Sequence, residues 1–106
     1  MDTYQQQFDA LADATRRAIL TRLVNGPMPV GEIATEFPMS RPAISQHLRI
    51  LKDAKLVSDS PQGNRRLYAI NIEGFRALRQ YFDRFWEEAL AAFQARVNER
   101  AHEEEV

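Results

Sequence analysis

Along this chain of 106 residues the apolar positions recur mostly at spacings of three and four, the mark of helices that bury one side. The clearest case is the stretch Arg41 to Ala54. On a helical wheel Ala43, Ile44, His47, Leu48, Ile50, Leu51 and Ala54 fall on one arc, and Arg41, Pro42, Ser45, Gln46, Arg49, Lys52 and Asp53 on the other. Ser40 is placed to cap this helix, its hydroxyl accepting from the free N–H groups of the first turn. Pro42 falls within that turn, where its missing N–H does little harm. The polar arc carries Arg, Ser and Gln near the helix N-terminus, side chains that hydrogen-bond base edges and phosphates in a DNA major groove. The pattern predicts a recognition helix over about 41–54.

The remaining elements follow in order. Tyr4 to Ala12 reads as a first helix with a small apolar stripe of Phe8, Leu11 and Ala12. A second begins at Asp13 or Ala14 and runs to Asn25, turning Ile19, Leu20, Leu23 and Val24 inward, and Asn25-Gly26-Pro27 closes it. Arg16, Arg17 and Arg22 lie on its outer side, suited to solubilising or salt-bridging roles or to a phosphate contact. Pro29 opens a short third helix, Val30 to Glu36, whose Ile33 and Ala34, with Phe37, can pack against its successor. Phe37-Pro38-Met39 then joins two helices across about three residues, the helix-turn-helix arrangement.

Leu56 to Ser60 and Arg65 to Ile70 read as strands joined by a turn, Pro61-Gln62-Gly63-Asn64. Gln62, Asn64, Arg65 and Arg66 at the tip make a basic wing, which can touch phosphates or the adjacent minor groove. By themselves these residues are equally compatible with a plain surface hairpin; their place after the helix favours the wing. Asn71 can cap a last helix over about 72–100, with Phe75, Leu78, Phe82, Phe85, Ala89, Phe93 and Val97 on one stripe, widened by Tyr81, Trp86 and Leu90. Such a helix is about 43 Å long, more than so small a core covers. Its aromatics need another surface, and a symmetric partner supplies one. The expected dimer interface is Tyr4, Phe8, Leu78, Phe82, Phe85, Trp86, Leu90 and Phe93; a purely intramolecular core is the alternative. His102 to Val106 reads as a frayed acidic tail.

Charge sharpens this picture. The net charge is −1, which does not suggest a nucleic-acid binder until it is divided by segment. Residues 1–40 and 72–106 are both net acidic, whereas residues 41–71 hold six Lys or Arg against two acids, a net of +4. The positive charge lies where the groove-sized helix and hairpin lie. The length fits one domain, 1–106, mainly α with a small β-hairpin. No apolar run approaches the roughly 20 residues of a membrane span, the N-terminus lacks the pattern of a secretory signal, and there is no cysteine. A cytoplasmic location is the default expectation.

The segments LADATRRAIL, PVGEIA, MSRPAISQHLRILKDAKLV and GNRRLYAI resemble the ArsR-like (arsenic-repressor-type, ArsR/SmtB) winged helix-turn-helix family of prokaryotic transcriptional repressors. The match runs from about Phe8 to Ile70. The resemblance implies a homodimer paired through its terminal helices, binding an imperfect inverted repeat and blocking transcription. It places Arg41, Pro42, Ser45 and Gln46 against the bases, the arc already picked out by the wheel. Ser40, Arg49, Lys52, Gln62, Asn64, Arg65 and Arg66 complete the expected DNA-binding set. Many family members sense metals through a cysteine pair in the short helix before the recognition helix. Here that segment is VGEIATEF, without such ligands, and Asp83, Glu87, Glu88 and Glu99 are not clustered with a histidine. No metal and no cofactor are expected, and the resemblance supplies no inducer.

Catalysis is discounted: Ser45 and His47 stand two apart on a helix and do not face each other, and no phosphate loop or metal motif is present. The serious rival is a winged helix serving as a protein-interaction module. A small-molecule or protein effector between subunits, lined by Phe82, Phe85, Trp86 and Phe93, is a further possibility, though core packing suits that spacing better.

Overall fold

The computed structural model describes residues 2–105. They fall into two compact units that divide after Arg76. The first holds four helices, three strands and the start of a fifth helix, in the order α1 (Thr3–Leu11), α2 (Ala14–Leu23), β1 (Met28–Pro29), α3 (Val30–Thr35), α4 (Arg41–Asp53), β2 (Val57–Gln62), β3 (Arg65–Ile70) and α5 (Ile72–Glu105). The second is the continuation of α5.

Each early helix begins on a side-chain cap. Asp2 accepts from Tyr4 N–H (3.1 Å) and Asp13 from Arg16 N–H (3.0 Å). The end of α1 is closed by α2. Arg16 donates to the carbonyls of Ala10 (2.7 Å) and Asp9 (3.1 Å), the latter also accepting from Ala12 N–H (3.3 Å), and Arg17 donates to that of Leu11 (2.7 Å), so side chains of α2 supply donors to the last-turn carbonyls of α1. These arginines are therefore helix caps, and Arg22 pairs with Glu36 at 2.7 Å.

Ile19, Leu20 and Leu23 of α2, Ile33 of α3, Ile44, Leu48 and Leu51 of α4, and Leu56 and Val57 form the core. Two details of the inward pattern differ from the sequence reading. In α1 the buried residues are Gln7 and Ala10, with Phe8 and Leu11 half-buried and Ala12 exposed. In α2 Val24 is 73% exposed, because it lies a quarter-turn from the centre of the arc that Ile19, Leu20 and Leu23 already fill.

The sheet has the order β1-β3-β2 and is antiparallel throughout. Strand β1 went unseen in the sequence, since two residues carry no periodicity and exist as a strand only by pairing Met28 with Tyr68 and Pro29 with Leu67. The hairpin strands also reach further than expected: Pro61 and Gln62 pair with Arg66 and Arg65, and the turn shrinks to Gly63-Asn64. Positive φ at Gly63 alone (62°) is the pattern of a type II′ hairpin turn. Pro29 and Pro61 both sit on edge strands, where a missing donor is tolerated.

The end of α4 is locked in an unusual way. Lys55 adopts φ 64°, its N–H reaches Lys52 O (2.9 Å), and Leu56 N–H reaches Leu51 O (2.9 Å). This is a Schellman closure with lysine where glycine is customary. Gly74, in the first turn of α5, lies so close that any Cβ would collide with the Lys55 carbonyl. Buried Gln7 donates to Gly74 O (3.1 Å), while its own Oε1 has no protein partner. Helix α5 continues to Glu105, so the acidic tail is helical rather than frayed; Val106 lies outside the described residues. No helix among the described residues is long and apolar enough to cross a membrane.

Candidate nucleic-acid interface

Helix α4 presents its two arcs as its sequence pattern dictates. Ile44, Leu48 and Leu51 are buried, Ala43, His47 and Ile50 half-buried, and Arg41, Pro42, Ser45, Gln46, Arg49 and Lys52 exposed. Ser40 is exposed too, but its hydroxyl is engaged, accepting from Ala43 N–H at 3.3 Å. His47 is half-buried, with its Nδ1 3.5 Å from the Arg16 guanidinium.

The wing residues Gln62, Asn64, Arg65 and Arg66 are exposed on the hairpin. Arg41, Asn64, Arg65 and Arg66 line a single cleft of about 440 Å³ with Glu32 and Tyr68, so the start of α4 and the wing border the same space. The charges there are not equivalent. Among the described residues Arg41 and Arg49 have no ion pair, and Arg65 approaches Glu32 at 3.7 Å with both side chains more than half exposed. Lys52 and Arg66 are held, the first by Asp59 Oδ1 (2.8 Å) and the second by Asp59 Oδ2 (2.7 Å).

Asp59 is the residue that sequence reasoning missed, counted there only as one of the two acids of the basic segment. The signal was present. Val57 and Asp59 occupy the same face of β2, the face that Val57 buries, so an acid stands at an inward position of a strand. It lies opposite Tyr68, and Arg66 is the diagonal neighbour on that face. Hydrogen bonds from Lys52 and then Arg66 hold its carboxyl below the ordinary carboxylate range, and the same carboxylate raises Arg66. Asp13 is lowered likewise, chiefly by the Arg16 backbone N–H it accepts from.

Among the described residues no three His, Asp or Glu side chains converge as a metal site requires. The sequence model described as "Bacterial regulatory protein, arsR family" matches residues 13–59, from the cap of α2 to Asp59 itself. The chain is 52% identical over 96 residues to the HTH-type transcriptional regulator Rv2034 of Mycobacterium tuberculosis, covering 88% of this chain and 90% of that one. It belongs to the ArsR family.

This ArsR-family chain is also 47% identical over 64 residues to the transcriptional repressor SdpR of Bacillus subtilis, covering 60% of this chain and 71% of that one. Among solved structures it is similar to a homodimeric winged helix-turn-helix DNA-binding domain from Mycobacterium bovis, at 30% identity and a TM-score of 0.67, with 81% of each chain covered. The fold is thus a winged helix-turn-helix, with α3 and α4 as the helix pair and β2–β3 as the wing. Its members are transcriptional regulators and not enzymes, in keeping with the separation of Ser45 and His47 onto different sides of α4.

Proposed function

We propose that this protein is a homodimeric transcriptional repressor that acts in the cytoplasm on an inverted-repeat operator, with α4 in the major groove and the wing on flanking backbone. The observation that carries the reading is the outer face of α4. It is a capped helix with Arg41, Ser45, Gln46 and Arg49 exposed in a row, beside a hairpin whose basic tip borders the same cleft. Arg41 is the best candidate for guanine, since its planar fork matches the O6 and N7 acceptors. Arg49 and the wing suit phosphates. The printed descriptions of SdpR as a repressor and of the M. bovis domain as homodimeric and DNA-binding agree with this reading.

Pairing is supported by α5. Phe85 is 61% exposed and Trp86 65%, and Phe82, Phe93 and Val97 are exposed beside them on one helix. A run of this kind is costly in water and marks an interface. Leu90, 38% exposed, extends this face, whereas Leu78, expected in the interface from its spacing, is only 6% exposed in the single chain and is withdrawn from the proposed surface; Tyr4 and Phe8 of α1 are half-buried. Two recognition helices related by a two-fold axis would then meet successive grooves about 34 Å apart.

Selection of bound fragments from random duplexes tests the whole reading. An inverted repeat among the winners, with binding that weakens steeply as salt rises, is the expected result. No duplex binding, or binding indifferent to salt, leaves the fold as a protein-interaction module.

A further inference from the structure

A carboxylate on a surface meant for phosphates needs a reason to be there. The side chain of Asp59 is 8% exposed and its two oxygens are divided between α4 and β3, one on Lys52 Nζ and one on Arg66 Nε. Lys52 and Arg66 themselves stay at the surface, 51% and 55% exposed. Two positive charges are thus opposed by one negative charge at contact distance, across the junction of helix and wing. On the basic face no acid holds Arg41 or Arg49 among the described residues, Arg65 meets Glu32 only at 3.7 Å with both side chains exposed, and this pair is clamped.

Given the DNA-binding reading above, we propose that Asp59 sets specificity: it withholds one unit of positive charge from the DNA backbone while fixing the wing to the recognition helix. Non-specific affinity follows the number of phosphates neutralised, each adding about 0.9 to the slope of log affinity against log salt. The Lys52–Asp59–Arg66 cluster carries a net +1, where an amide in place of the carboxylate would leave +2. The clamp uses only the Nε donor of Arg66 and one donor of Lys52. The terminal nitrogens of the guanidinium remain available to a phosphate from a fixed position. One well-placed contact replaces two loose ones, which lowers binding to arbitrary sequence and keeps helix and wing in register on the right one.

Asp59→Asn tests this on two probes, the selected operator and a random-sequence duplex of equal length, titrated across a range of salt. The variant is expected to bind the random duplex about five-fold more tightly at about 0.15 M salt, with a slope steeper by about 0.9. Its preference for the operator falls. Asp59→Glu, which keeps the charge but displaces it, is expected to retain the wild-type slope while losing preference. Melting curves accompany each variant, and Asp59→Ser, which also removes the charge, stands in should the Asn variant not fold. An unchanged slope in the charge-removing variants, or equal weakening on both probes, overturns the proposal and reduces Asp59 to a structural brace. Wild-type protein that binds no duplex removes the DNA reading and this inference together; wild-type binding with unaltered variants removes this inference alone.

Discussion

The residues of the basic face divide by what holds them, and their expected behaviour divides with them. Arg41 has no acidic partner among the described residues and stands at the N-terminal end of α4, so Arg41→Ala should cost about 1–3 kcal/mol on the operator and relax base preference. Equal loss on random duplex, read by the same titration, would make Arg41 a phosphate contact instead. Asp59 makes a second prediction, in pH. Its carboxyl is depressed in the folded protein by Lys52 and Arg66. Its contribution to stability is therefore fully present above the ordinary carboxylate range and lost as pH falls through the depressed value. The gap in melting temperature between wild type and Asp59→Asn should hold steady from neutral pH down to about 4 and close only below that. A gap that closed between pH 7 and 5 would mean that another group supplies the coupling.

At the scale of elements, α1, α4, β2 and α5 meet where α4 ends. The Schellman closure at Lys55, the turn into β2 and the first turn of α5 share one contact, in which Gly74 packs against the Lys55 carbonyl and Gln7 takes the Gly74 carbonyl. A side chain at Gly74 meets backbone, which cannot swing aside as a flexible side chain does. Gly74→Ala should thus cost about 3 kcal/mol or more, measured as a fall in denaturation midpoint. A midpoint matching the wild type would show that the first turn of α5 can shift freely. The recognition helix had been readable by its wheel and its caps because those signals are local. The junction had not been: Gly74 and Lys55 are distant in sequence, and neither belongs to a pattern.

For the whole molecule the question is what covers α5. Its aromatic stripe was legible from spacing alone, and it stays exposed from Phe82 to Val97 in the single chain. Changing both Phe85 and Phe93 to Glu should turn a sedimenting pair into single chains while leaving the helical circular dichroism of the whole chain largely intact. A double variant that still sediments as a pair would place the interface elsewhere. Trp86 is the only tryptophan and is 65% exposed in one chain, so its emission should shift to longer wavelength on dilution as the pair separates. Unchanged emission would mean that the ring stays in water in the pair as well.

By itself the sequence determined what short-range physics can express. The helix periods, the Ser40 cap and the turn around Gly63 depend on residues within a few positions of one another, and the basic segment between acidic flanks is a matter of composition alone. Tertiary structure alone decided the rest: strand β1 from a two-residue pairing, Arg16 and Arg17 as caps of a neighbouring helix, Gly74 pressed on Lys55, and Asp59 dividing its oxygens between helix and wing. Each of these is an interaction between groups that the chain keeps apart and only folding brings within hydrogen-bonding distance or van der Waals contact. That is why the outline of the proposed DNA-binding surface was visible in the sequence and the pairing of its charges was not.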